Sequence, residues 1–402
     1  MPLSSLEKDV CAALGERAAN MEADLERYVA IPTGHNHAPG LDEFRKDVTD
    51  RCRALRASVE YADGDPKPDW LLGASSGKPP VTAVCRAPSG AKGARILLSG
   101  HLDTVFPPPP RGSFLKMTRT PGSPRKAVGP GVVDMKGGIV IALHALEAFA
   151  ELDVRLAWTY VFNSDEETGS YHSERALRAE AKKHDVAFAT EPALLDGSIV
   201  TERLGSGQFM IEARGKSAHV GRDFASGVNA AVALSRAVAA TGDMADAAAG
   251  RIISVGVLEA ADATNIVPDL ARAWGNARYP DEEVSEDIQR RLVALETSPD
   301  AMPSLTVHRS FNRPAKPRTE GVARLASIIR DAGADMGLTI GEGKTGGVSD
   351  GNILQSEGLP TIDTMGVRGG GLHTTSEWIE LDSLLERSQL LALSMLRVSS
   401  AW

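Results

Sequence analysis

The chain has 402 residues, more than one hydrophobic core usually covers, which points to about two domains and a large buried interior. With 42% hydrophobic and 24% charged residues, its composition is globular and excludes disorder, a collagen-like rod or a disulfide scaffold. A net charge of -9 argues against nucleic acid or an anionic membrane as the main partner, and no window approaches the roughly 20 apolar residues of a membrane span.

The first residues mix acids, bases and small side chains, unlike a signal peptide, and Cys11, Cys52 and Cys85 are too scattered for a disulfide framework or a C-x-x-C site. A cytoplasmic location is the expectation. Leu6, Val10, Leu14, Met21, Leu25, Tyr28 and Val29 recur near helical spacing and predict a helix over 4–30 that "IPTG" ends. A second helix is expected over 41–57. "PVTAVCRA" and "ARILLSG" read as strands separated by the turn-forming "PSGAKG". The proline-rich "VFPPPPRGSF" and the stretch "TRTPGSPRKAVGPG" cannot hold regular structure for long, and they bracket a loop at a strand end, where function often sits.

"MKGGIVIALHALEAFAEL" has a helical pattern, and "VRLAWTYVFNS" has the β-branched and aromatic content of a buried strand. A helix near 172–184 and the strand "DVAFATEP" repeat the alternation. This order predicts an α/β domain, a mostly parallel sheet with helices on both faces. From about residue 204 the pattern changes to "GQFMIEARGKSAHV", a helix over 227–240, "RIISVGVLEA", "LARAWGNARYP", a helix over 281–296 and "SLTVHRSF". The β-α-β-β-α-β order suits a ferredoxin-like α+β domain with helices on one face. It reads as an insertion, residues 204–317, in a discontinuous first domain of residues 1–203 and 318–402.

Apolar runs end in polar clusters at His101 and Asp103 in "SGHLDTVFP", at Asp165, Glu166 and Glu167 in "NSDEETGS", and at Glu191 in "ATEPA". Asp134 in "GVVDMKGG" and His373 in "GGGLHTTSEW" lie in Gly-rich turns that let backbone approach a ligand. The carboxyl ends of parallel strands are where open α/β sheets bind ligands. Histidines and carboxylates converging without cysteine suit zinc, manganese or cobalt, and two-metal sites share a carboxylate as bridge. Two divalent ions are balanced by three carboxylates and one hydroxide, with two histidines completing a neutral cluster. His101 and Asp103 share a strand face, so the aspartate can reach the free imidazole nitrogen.

In this order, "SGHLDTVFP", "GPGVVDMKGG", "NSDEETGS", "ATEPA", "GKSAHVG", "ATNIVPD" and "GGGLHTTSEW" resemble the M20 family of dinuclear metallopeptidases, nearest its glutamate carboxypeptidase and acetylornithine deacetylase group. The resemblance implies that His101, Asp134 and Glu191 hold one metal and Asp134, Glu167 and His373 the other. It implies Zn2+, with Co2+ or Mn2+ as alternatives, and a cis peptide after Asp134. Asp103 would orient His101. Glu166 would be the general base for a metal-bridging water attacking the amide of an N-acyl amino acid or peptide. His219 would reach the active site of a partner subunit in a homodimer whose interface is the inserted domain. Asn265 and Arg278 would bind substrate, the arginine through a carboxylate; Asn276 stands where relatives often have aspartate, which loosens that placement.

Asp350 and Asn352 in "GGVSDGN" either line the pocket or belong to a helix N-cap. Asp165 reads as a solvated or turn-bonding acid. His35, His37, His144, His172, His184 and His308 match no block and read as structural or surface residues. Two alternatives stand beside the deacylase or carboxypeptidase reading: an aminopeptidase or dipeptidase on the same scaffold, and a non-catalytic amide-binding protein.

Overall fold

Alternation along apolar strands sets the frame of the molecule. In the computed structural model, which describes residues 2–74, 77–108 and 116–402, six strands form one sheet. Their order is Ser58–Ala62, Thr82–Arg86, Leu156–Asn163, Lys92–His101, Val186–Ala189 and Thr361–Ile362. The last four run parallel, whereas Thr82–Arg86 is antiparallel to both neighbours, so the sheet is mixed at one edge. Successive residues face opposite sides. Ile96 and Leu98 fall with Tyr160, Phe162 and Phe188 into a larger core, and Leu97 falls with Val161 and Ala187 into a smaller one. Helices Gly137–Glu151 and Asp382–Ala401 cover the larger core; Glu174–Ala181 and Asp350–Ser356 cover the smaller. Gly137–Glu151 is buried on nearly every side, which accounts for its lack of a polar stripe.

Because the central strands are parallel, their carboxyl ends meet at one edge. The register pairs His101 with Asn163 and Ser99 with Ala189. His101, the Asp165–Glu167 turn and Glu191 therefore emerge side by side.

Several elements differ from the sequence expectation. The helix over 4–30 is two helices, Ser5–Glu16 and Ala18–Val29, which meet at Arg17. The Arg17 guanidinium bridges to Glu147 at 3.1 Å and Glu151 at 2.7 Å. The second helix spans Ala38–Ala54, starting early because Pro39 suits a first turn and ending before Arg56 takes φ 61°. Strand Ser58–Ala62 was not expected, since it is a mostly exposed edge without alternation. Thr118–Thr120 and Lys126–Val128 form a short hairpin that continues into Trp378–Glu380. Residues 109–114 of "VFPPPPRGSF", with residue 115 after them, lie outside the described residues.

A second, wholly antiparallel sheet has the order Ile252–Glu259, Leu270–Tyr279, Gly205–Arg214 and Ser304–Arg313. Helices Ala230–Gly242 and Glu282–Val293 close its own core of Phe209, Ile211, Leu234, Ile288 and Leu292. The chain enters and leaves this unit side by side. Arg203 N–H donates to the Lys316 carbonyl at 2.9 Å and Lys316 N–H returns the bond at 3.0 Å. The Asn352 amide donates to the carbonyls of Leu204 at 3.0 Å and Pro314 at 2.8 Å, tying both crossings to one helix. Among the described residues no helix is long and apolar enough to cross a membrane.

Close packing behind the strand edge is testable at Gly138, where an added Cβ would stand 2.0 Å from the Thr190 carbonyl oxygen. Gly138→Ala should lower stability by about 1–3 kcal/mol through forced backbone movement. Gly242→Ala, whose Cβ meets nothing within 4 Å, serves as comparison. Equal thermal melting of the two variants would contradict this packing.

Candidate metal centre

His101 ends its strand buried, with the imidazole pointing into the sheet edge. Its Nε2 lies 3.1 Å from Asp134 Oδ1 and 3.8 Å from Glu191 Oε1. Asp134 turns its other oxygen, Oδ2, to His373 Nε2 at 3.5 Å, and that nitrogen lies 3.2 Å from Glu167 Oε2. One carboxylate thus faces two histidines from opposite ends of the chain. Ligand atoms of His101, Glu166 and Glu191, and separately of His101, Asp134 and Glu167, lie within 4.8 Å of one another. The Asp134–Met135 peptide is cis, as the resemblance implied.

Local structure explains how these groups are presented. Asp134 sits in the turn Val132–Lys136, outside helical φ/ψ, just before helix Gly137–Glu151. Glu166 and Glu167 open a short 3-10 turn that Gly169 closes with φ 103°. The turn relaxes strand alternation, so neighbouring glutamates can both face the edge. Asp103 secures it: Oδ1 accepts the Glu166 N–H at 3.2 Å and Oδ2 the Glu167 N–H at 3.0 Å. Toward His101 Nδ1, Asp103 offers its backbone carbonyl at 3.0 Å and its carboxylate only at 3.5 Å. The contact expected of the side chain alone is therefore shared with the main chain.

The donor set, two imidazoles and several carboxylates without cysteine, fits divalent cations. Burial pushes the Glu191 carboxyl up to about 8 and Glu167 up to about 7, despite the opposing pull of the His101 and His373 imidazoles respectively. Burial also works to raise Asp134, but the bonds from His101 and His373 outweigh it and hold that carboxyl below the ordinary range. Bonds to Asp134 and Glu167 raise His373 to about 10. Protons occupy this crevice where cations can replace them.

Above the cluster is a cavity of about 440 Å³ lined by Asp134, Glu166, Glu167, Glu191, Arg278 and His373, among others. A larger cavity, about 730 Å³, lies by Ala54 and Leu156 at the opposite end of the strands and includes none of these residues. Arg278 Nη1 is buried with no hydrogen-bond partner, and burial followed by the nearby Arg313 lowers its pKa. His219 and Asn265 do not line the metal-side cavity. Both are exposed on the ribbon that pairs Ala218–His219 with Ile266–Val267, where Val220 N–H donates to the Asn265 carbonyl at 3.0 Å.

In "GGVSDGN" the cap is Ser349, closed by Asn352, while Asp350 is buried and accepts from Asn163 at 2.7 Å and Ser170 at 2.5 Å. Asp165 is a buried turn acid, accepting the His172 N–H at 2.6 Å. His144, His172 and His184 bond to Asp24, the Asp65 carbonyl and the Glu180 carbonyl, and His308 stacks on Trp70. Sequence reasoning missed Arg313, the last residue of its strand. Its Nη2 lies 2.8 Å from Glu166 Oε1 and donates to the Glu166 carbonyl and Ser170 Oγ, both at 2.7 Å.

Comparison with known proteins finds relatives over most of the chain. Residues 97–397 match the model for peptidase family M20/M25/M40. Carboxypeptidase G2 of Pseudomonas sp. (strain RS-16) is 30% identical over 396 residues, covering 95% of this chain and 89% of that protein. Succinyl-diaminopimelate desuccinylase of Psychrobacter arcticus is 26% identical over 418 residues, covering 96% and 97%. The structure of the dipeptidase Dug1p from Saccharomyces cerevisiae superposes with a TM-score of 0.75 at 14% identity, covering 99% and 100%.

A bound cation needs ionised carboxylates and neutral imidazoles, so it must displace protons that Glu191, Glu167 and His373 hold near neutrality. Zn2+ affinity should therefore fall as the pH drops through about 10, then about 8 and about 7, the values to which His373, Glu191 and Glu167 are raised. Calorimetric titrations in buffers of different ionisation heat should show net proton release. A pH-independent affinity without proton release would contradict the charge argument.

Proposed function

The chain belongs to peptidase family M20/M25/M40, a family of amide-bond hydrolases, and from that premise we propose a dinuclear enzyme that frees an amino acid from an N-acyl amino acid or short peptide. The observation that carries this reading is Asp134, with Oδ1 toward His101 and Oδ2 toward His373 and Glu166 beside it in the same cavity. Asp134 would hold two divalent ions, one together with His101 and Glu191 and the other together with Glu167 and His373. Zn2+ is the first choice, and Co2+ or Mn2+ suit the same donors. Such ions lower the pKa of water and polarise an amide carbonyl.

Glu166 takes a proton from the attacking water and returns it to the leaving nitrogen. Arg313 holds the Glu166 carbonyl and faces its Oε1, while Asp103 anchors the turn from below, so the base keeps its place beside the cluster. Arg278 binds the substrate carboxylate. The buried, unpartnered Nη1 at the cavity wall supports this, because an orphan donor there gains a bond only when an anion arrives. The same cation disfavours an aminopeptidase, which needs an acidic group for a free ammonium. A non-catalytic binding protein is disfavoured because no expected ligand, nor Glu166, has been replaced.

Residues 1–203 and 318–402 form the catalytic domain in this reading, and 204–317 the dimerisation or lid domain. Supporting it, Val220, Phe224, Leu258 and Ile266 of that segment are 41%, 64%, 59% and 42% exposed. His219, away from its own cavity, then serves the partner's site as a donor to the developing oxyanion. Three free cysteines suit the reducing cytoplasm.

Glu166→Gln should retain both metals and lose about 100-fold or more in turnover of an N-acyl amino acid; undiminished turnover would sink the assignment of the base. Light scattering should give twice the 42.5 kDa chain mass. His219→Ala should cost about 100-fold in turnover with the dimer intact. A monomer with full activity would remove both the dimer and the shared site. A panel of N-acetyl amino acids, glutamyl amides and dipeptides tests the substrate class, and preference for a free amino terminus would reverse the ranking.

A further inference from the structure

One buried acid lies beneath the cluster without touching the cavity. Glu377, 1% exposed, directs its carboxylate under the turn that displays Asp134. Oε1 accepts the backbone N–H groups of Val133 at 2.9 Å and Asp134 at 3.1 Å, and Oε2 accepts that of Gly131 at 3.2 Å. Its backbone carbonyl accepts the Gly129 N–H at 3.1 Å. Asp134 and Met135 depart from helical φ/ψ; Lys136 N–H reaches back to the Gly131 carbonyl at 2.9 Å, while the N–H groups of Gly131, Val133 and Asp134 are taken by the glutamate.

The placement of Glu377 in the chain gives those bonds a second meaning. It ends the turn that carries His373: Thr374 N–H donates to the Gly371 carbonyl and Glu377 N–H to the Thr374 carbonyl, both at 3.1 Å. The next residue, Trp378, pairs with Val128 in the adjoining strand. One short turn therefore contributes a histidine on one side of Asp134 and the clamp on its backbone.

We propose that Glu377 is a positioning residue for the metal centre. It fixes the Asp134 backbone so that Oδ1 meets His101 and Oδ2 meets His373, and it joins bridge and His373 turn into one rigid piece. The inference rests on the di-metal reading above. Bridging tolerates little misplacement, since a carboxylate must satisfy two cations at once.

The test is titration of Zn2+ into chelator-stripped protein, with wild type beside Glu377→Gln and Glu377→Asp. Glutamine keeps the volume but turns one oxygen into an NH2 group facing N–H donors. At least one Zn2+ per chain should then bind about 10–100-fold more weakly, the usual loss on removing an outer hydrogen bond to a ligand set. The visible spectrum of the Co2+-loaded variant should change as well. Wild-type affinity for both ions and an unchanged Co2+ spectrum would overturn the proposal, even if the variant melted at lower temperature, because that is the signature of a purely structural role. Should Glu377→Gln fail to fold, Glu377→Asp decides: it keeps the charge but is too short for all three donors, and wild-type affinity there overturns the proposal. A wild-type chain that binds no Zn2+ would bring down the di-metal reading and this inference with it.

Discussion

The carboxylates of Asp134, Glu166, Glu167 and Glu191 crowd the buried His101 imidazole at one sheet edge, and the neighbouring elements can be understood by what they do to those like charges. Parallel strands bring three of the segments to the same edge, where their side chains converge. Backbone N–H groups and Arg313 then distribute the load unevenly. Glu166 has a guanidinium 2.8 Å away, whereas Glu167 and Glu191 depend on imidazoles and are left with raised affinities for protons.

Much of this was legible because each central strand ends abruptly in chemistry. "ARILLSGH", "VRLAWTYVFN" and "DVAFAT" have continuous apolar runs, which only burial on both faces explains, and the polar residues that follow have to stand at the edge. The break at Arg17 was hidden, since apolar spacing continues through it and the cause is a distant pair of acids on another helix. The exposed strand Ser58–Ala62 and the three-residue strands Thr118–Thr120 and Trp378–Glu380 are too short or too exposed to create a periodic signal.

Two residues escaped sequence reasoning for a shared physical reason. Arg313 and Glu377 act on main-chain groups: the Glu166 carbonyl in one case, the N–H groups of residues 131, 133 and 134 in the other. Every residue carries the carbonyl and all but proline the N–H, so no residue type at the receiving end advertises the contact. His219 and Asn265 pose the reverse case. Their motifs stand out in the sequence, yet within one chain both lie on an exposed ribbon rather than at the cavity.

His101 and His373 lie near the two ends of the matched segment, yet one carboxylate spans the gap between their imidazoles. No fragment that lacks the last strands and helix can assemble both halves of the centre. A cation that needs both halves binds the completed chain and has little to hold in a partial one, so it adds its binding free energy at the final stage of assembly. Under the di-metal proposal the centre would act as a latch on folding: occupancy would report that the amino-terminal and carboxyl-terminal parts have found each other.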